Sequence, residues 1–212
     1  MTFPGVRPLL LAVLALGAGG GWPGAVPVAG ASDSATGEAV AAAKGCGTCH
    51  TLPGEGGRAK PGPGFLSPAP PRPGPEIVRS LWNHVPDMRR HVIARALPWP
   101  TMGSEEMEAL LTFLGRTPGL ERPPDPERGR RLLVERGCLA CHALDAVGGR
   151  AASDLAALRG SGELAALAVA LWNQAPAMAD ALEQRGVPYP LFQPGEMGDL
   201  LESLKGPGHV SR

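Results

Sequence analysis

Cysteine occurs four times in the 212 residues, as Cys46-Gly-Thr-Cys49-His50 and Cys138-Leu-Ala-Cys141-His142. Two thiols three positions apart on one short turn are placed to close thioethers on the vinyl groups of a haem. The histidine that follows then falls under the iron as a proximal ligand. The competing chemistries fit less well. A zinc site wants four Cys or His ligands, and neither motif has a second ligand pair at suitable spacing. A thioredoxin-like pair would start a helix in a βαβ unit, which this pattern lacks. A structural disulfide leaves the histidine in both copies unexplained.

The motifs lie 92 residues apart, and their flanks match at that offset: Gly37 with Gly129, Gly45 with Gly137, Leu52 with Leu144, and Gly56-Gly57-Arg58-Ala59 with Gly148-Gly149-Arg150-Ala151. Further on, Leu81-Trp82-Asn83-His84-Val85-Pro86-Asp87-Met88 matches Leu171-Trp172-Asn173-Gln174-Ala175-Pro176-Ala177-Met178 at an offset of 90. That offset continues through Arg95/Arg185, Pro98/Pro188, Pro100/Pro190, Glu106/Glu196, Met107/Met197 and three leucine pairs. The chain is an internal duplication of a unit of about 85 residues. Residues 33–117 form the first expected domain and 125–206 the second. The proline-rich stretch 118–124 is a stiff exposed linker and 207–212 a polar tail.

Twenty basic and twenty acidic side chains cancel, which removes the basic excess expected of a nucleic-acid binder. Aromatic residues make up only 4%, thin for a core of this size, and a large planar apolar group would supply the missing volume. Residues 1–31 carry one charge, Arg7, ahead of an apolar run from Leu9 to Ala18 and a Gly/Pro-rich stretch. This reads as a secretory signal peptide cut before Ser32, and it places the protein in the periplasm or an otherwise exported compartment. Membrane anchorage is the alternative if the leader stays uncleaved.

The elements that must position the motifs are helical. Asp125 is a candidate N-cap ahead of Pro126, with Leu132 and Leu133 apolar and Gly137 at the end. Ser104 opens a helix that sets Met107, Leu110, Leu111 and Leu114 along one stripe. Ser161 to Trp172 repeats the helical pattern ahead of Pro176. No stretch alternates with period two for long, so the fold class is all-α.

Duplicated CxxCH motifs, each following a helix and followed by a loop, a methionine-bearing segment and a last helix, resemble the class I c-type cytochromes. The closest likeness is to tandem dihaem members in which two such domains are fused. The resemblance implies a small helical fold around each of two covalent haem c groups, one per domain, and electron transfer as the role. It also implies a Gly-Pro in the loop after the haem histidine whose carbonyl accepts the imidazole N–H. Gly62-Pro63 match in the first unit; the second has Ala152-Ser153 there.

The sixth ligand should be shared by both repeats. His84 is replaced by Gln174, His91 by Ala181 and Met102 by Phe192, which leaves Met88/Met178 and Met107/Met197. The second pair lies on the leucine stripe, where methionine fills core. Met88 and Met178 follow a proline expected to break the helix and present sulfur to iron, so they are the preferred ligands, with Met107 and Met197 the alternative. Trp82 and Trp172 are expected to pack on the haems, His84 and His91 to lie at the surface, and Arg89, Arg90 and Arg95 to form a solvated helix face.

His/Met ligation raises the reduction potential and leaves no open coordination position. The expected function is one-electron transfer between exported redox protein partners, without catalysis. The formal charge is +1 over 32–118 and −3 over 119–206, a mild asymmetry that would steer different partners to each end. The alternatives are a cytochrome subunit of an exported dehydrogenase and a dihaem peroxidase-like enzyme with one open haem. A haem-based sensor would need an effector domain, and none is visible.

Overall fold

The computed structural model describes residues 31–55, 60–65, 69–119, 122–159 and 163–205. Residues 1–30 of the expected leader, the Gly56–Ala59 half of one repeat match, Ser161 at the start of the expected 161–172 helical stretch and the 207–212 tail lie outside these. The described part is mostly helical. Each repeat contributes three α-helices: α1 (Ala31–Ala43), α2 (Gly74–Ala94) and α3 (Ser104–Phe113), then α4 (Pro126–Glu135), α5 (Leu164–Gln184) and α6 (Glu196–Leu204). Among the described residues no helix is long and apolar enough to cross a membrane.

Local sequence accounts for the ends of these helices. Asp125 caps α4 through a carboxylate that accepts the Arg128 N–H at 3.0 Å, with Pro126 in the first turn, where no N–H is needed. In α3 the cap is Gly103, one residue before the expected Ser104. Glu106 reaches back to accept the Gly103 N–H at 2.8 Å, and this fixes the start. α5 begins at Leu164 behind an extended Glu163.

In each unit the first helix crosses the last at a glycine. A β-carbon on Gly37 would stand 2.1 Å from the Ala109 carbonyl oxygen, and one on Gly129 would stand 2.1 Å from that of Asp199. Only a bare backbone lets α1 meet α3, and α4 meet α6, this closely.

The prolines of the two long helices do not break them, contrary to expectation. α2 runs through Pro86 and α5 through Pro176 without interruption, 21 residues each. A proline removes one N–H from the ladder and frees the carbonyl four residues earlier. In α5 that carbonyl belongs to Trp172, and it accepts the indole N–H of Trp99 at 3.2 Å. The ring of Trp99 lies on that of Trp172, 4.7 Å between centroids. At the matching place in the other unit, Tyr189 lies on Trp82 at 4.9 Å.

That exchange belongs to a reciprocal interface. The Trp82 indole donates to the Pro190 carbonyl at 2.7 Å, and the Trp172 indole to the Pro100 carbonyl at 2.6 Å. Asn83 donates to the Phe192 carbonyl at 2.9 Å and accepts the Phe192 N–H at 3.0 Å. Asn173 makes the same pair with Met102, at 2.9 Å in both directions. Each unit's long helix thus grips the strand of chain that precedes the other unit's last helix. The apolar core is continuous across the junction, from Ile77, Trp82 and Met107 to Leu167, Trp172 and Met197.

Arg89 departs from the expected solvated face. Its side chain is only 19% exposed and bridges from α2 to Asp180 and Glu183 of α5. Arg90 is exposed and pairs with Asp87 on its own helix. Arg95 is exposed too and bonds His91 one turn back. In the stretch between the repeats, Arg122 and Pro123 are exposed, with the Arg122 guanidinium on the buried carboxylate of Asp199. The remaining strand pairing is slight, Arg72–Pro73 alongside Arg116–Thr117 and Ala143–Leu144 against Val147–Gly148.

Candidate cofactor sites

Both CxxCH motifs fold the same way. The helix before each ends on a glycine in the left-handed region, Gly45 at φ 77° and Gly137 at φ 73°. The chain then makes one 3₁₀ turn, Cys46–Thr48 or Cys138–Ala140. The N–H groups of Cys49 and His50 both bond the Cys46 carbonyl, at 3.1 and 2.9 Å, and those of Cys141 and His142 both bond that of Cys138, at 3.2 and 2.9 Å. This winding brings two cysteines and a histidine together on one tight turn in each unit. All four thiols are free and half-buried. Burial pushes the Cys46 and Cys138 thiols above the usual range, because an apolar setting penalises thiolate.

The imidazoles are held alike. Nδ1 of His50 donates to the Pro63 carbonyl at 2.7 Å, as expected from Gly62-Pro63. Nδ1 of His142 donates to the Ser153 carbonyl at 2.8 Å. The second unit therefore makes the bond without a Gly-Pro, since only a backbone carbonyl is required. With Nδ1 committed to a carbonyl, Nε2 is the ring nitrogen left to bind a metal. Pro63 and Ser153 are 90 apart, so the two-residue shortening of the second repeat falls between Ala59 and Gly62.

The loops that support the turns differ. In the first unit Lys60 ties the Gly47 and His50 carbonyls to Glu55, at 2.6, 3.1 and 2.6 Å, and Phe65 stacks on the His50 ring at 4.7 Å. In the second the Gly149 N–H bonds the Leu139 and His142 carbonyls, at 2.8 and 2.9 Å.

The residue just before each left-handed glycine reaches to the far end of its unit. Lys44 donates to the Thr101 carbonyl at 2.8 Å and pairs with Glu106 at 2.7 Å. Arg136 pairs with Glu196 at 2.7 Å and lies over the Phe192 ring, 6.0 Å from its centroid. Burial opposes ionisation of Glu196, but the Gln193 N–H and Arg136 outweigh it and hold its carboxyl below the usual range. Sequence reasoning missed the long-range contacts of Lys44, Arg136, Asn83 and Asn173. The repeated Trp-Asn pair was the signal that could have found two of them.

The expected sixth ligands divide by burial. Met107 and Met197 are fully enclosed at 0% exposure on the last helices, as core fillers. Met88 and Met178 are half-buried at the edge of the core, on the long helices. Trp82 and Trp172 are buried, with indole N–H groups spent between the units; His84 and His91 are exposed. Among the described residues no three His, Cys, Asp or Glu side chains converge as a metal-ion site.

The donor set fits a covalently attached haem in both units: two unpaired thiols on one turn, a lone-pair nitrogen beside them and a half-buried thioether elsewhere. Among the described residues the Tyr189 hydroxyl is buried with no hydrogen-bond partner. No family model, no curated protein and no solved structure matches the chain.

Proposed function

We propose that this protein is an exported dihaem c-type cytochrome that carries single electrons between redox protein partners. Cys46 and Cys49, and Cys138 and Cys141, would hold one haem c each through thioethers, in cytochrome c-like units spanning 33–117 and 125–206. Nε2 of His50 and of His142 and the thioethers of Met88 and Met178 would bind the two irons. The observation that carries this reading is the identical local winding of both CxxCH motifs, each with its imidazole Nδ1–H committed to a backbone carbonyl.

Bound there, the group would supply a one-electron change of valence at iron. The chain's own part is orientation. The Pro63 and Ser153 carbonyls fix the orientation of each ring and leave its Nε2 as the nitrogen that would face the iron. Cys46, Cys49, Cys138 and Cys141 would each add its own S–H across a vinyl group, which balances without an oxidant. Sulfur from Met88 and Met178 would favour the reduced state and leave the iron no open position for substrate, which suits a carrier better than a catalyst.

The test is haem quantitation and optical spectroscopy on protein exported from a host that matures c-type cytochromes. The expected result is two low-spin haems per chain, with Met88→Ala and Met178→Ala each abolishing the sulfur-to-iron band of one haem. Colourless protein with four titratable thiols overturns the proposal. An unchanged band in both variants overturns the methionine assignment alone.

A further inference from the structure

The reciprocal grip does more than hold the halves together. In the first unit, Lys44, two residues before Cys46, bonds the Thr101 carbonyl. The next residue, Met102, is held through both its backbone groups by Asn173 of the other unit. Asn173 stands five positions before Met178 on the same helix. In the second unit, Arg136, two residues before Cys138, covers the ring of Phe192. The backbone of Phe192 is held by Asn83, five positions before Met88. Each CxxCH turn is thus joined, through one cation and one backbone amide pair, to the helix bearing the other unit's candidate sulfur ligand.

We propose that the Trp-Asn pairs act in trans. Trp172 and Asn173 are positioning residues for the first unit's haem, and Trp82 and Asn83 for the second's, a role that rests on the dihaem reading above. The bonded atoms support this direction. A side-chain amide that both accepts from and donates to one residue's backbone fixes that peptide's orientation as well as its position. Nothing from its own unit does the same for Met102 or Phe192 among the described residues. The segment 97–102 lies between α2, which carries Met88, and α3, which packs on the helix leading to Cys46. A shift there moves α2, and Met88 with it, relative to the turn that carries Cys46, Cys49 and His50, while the second unit keeps its own grip through Asn83.

The experiment uses the full haem-loaded chain. In a Met178→Ala background the only sulfur-to-iron band left belongs to the first haem, and in a Met88→Ala background to the second. Adding Asn173→Ala is expected to ease displacement of sulfur by imidazole about tenfold at the first haem, the scale of losing a partner that orients a ligand. The second haem should change less than about twofold by the same measure. Asn83→Ala should give the mirror result. Asn173→Asp keeps the acceptor for the Met102 N–H and loses the donor, so an intermediate effect at the first haem is expected; it serves if the alanine variant fails to fold. An effect confined to the haem of the mutated unit, or none at either, overturns the trans role and leaves the dihaem reading intact. Parent protein without haem overturns that reading and this one with it.

Discussion

The imidazoles of His50 and His142 show how little is needed from sequence, beyond the motif itself, to orient a ring. Each requires one carbonyl within reach of Nδ1, and proline and serine supply it equally well, since the acceptor is backbone. The neighbouring thiols carry a testable consequence in the haem-free protein. Cys46 and Cys138 have raised pKa values, chiefly through burial. Between the ordinary thiol pKa of about 8.5 and the higher folded value, the folded chain keeps protons the unfolded chain has released. Stability must therefore be full at neutral pH and fall as pH rises through that window. Urea midpoints measured from about pH 7 to about pH 9.5 should drop, and the drop should vanish in Cys46→Ala/Cys138→Ala. A midpoint that rises over this range contradicts the assignment. Thioether formation removes both thiols, so the haem-loaded protein should lack the effect.

At the scale of the element, the long helices show tertiary packing overriding a local breaker. An interior proline costs a helix about 3 kcal/mol in isolation, yet α2 and α5 continue past Pro86 and Pro176. Their apolar faces are buried in the shared core, and Trp99 satisfies one freed carbonyl. Both helices then end alike. The Leu97 N–H returns to the Val92 carbonyl at 3.0 Å and the Val187 N–H to that of Leu182 at 2.9 Å, across a residue in the left-handed region. That residue is Gly186 at φ 65° in the second unit but Ala96 at φ 51° in the first. A side chain there costs about 1–2 kcal/mol of strain, partly offset by the greater freedom glycine has when unfolded. Ala96→Gly should stabilise the protein by about 0.5 kcal/mol and Gly186→Ala destabilise it by about 1 kcal/mol, read from denaturant midpoints. Equal effects of the same sign would show that these turns are not strained as described.

Over the whole molecule, the duplication is folded back on itself, so that equivalent residues exchange equivalent bonds. Trp82 and Asn83 serve the second unit while Trp172 and Asn173 serve the first. With a continuous core and contacts running both ways, heating should unfold the chain in one cooperative transition. Asn83→Ala combined with Asn173→Ala should lower its midpoint and broaden it or split it in two, as calorimetry can show. Two transitions in the parent protein would mean that the interface contributes little. The interface is also not symmetric. Arg89 reaches Asp180 and Glu183, whereas the matching positions are Ala179, Arg90 and Ile93, so among the described residues this ion pair has no equivalent on the other side.

The sequence by itself determined the repeat, the helical class, the Asp125 cap and the CxxCH turns, because each depends on neighbours within a few residues of one another. The offset between the copies even located the methionines worth comparing. Tertiary structure decided the rest: that the prolines lie inside helices, that Arg89 bridges the units, and that each Trp-Asn pair holds the opposite unit. Those partners lie 71 to 109 residues apart, and a hydrogen bond to a distant backbone carbonyl imposes no side-chain pattern at the accepting end. Pro100, Met102, Pro190 and Phe192 receive those bonds through main-chain atoms that every residue possesses, which is why only the fold reveals them.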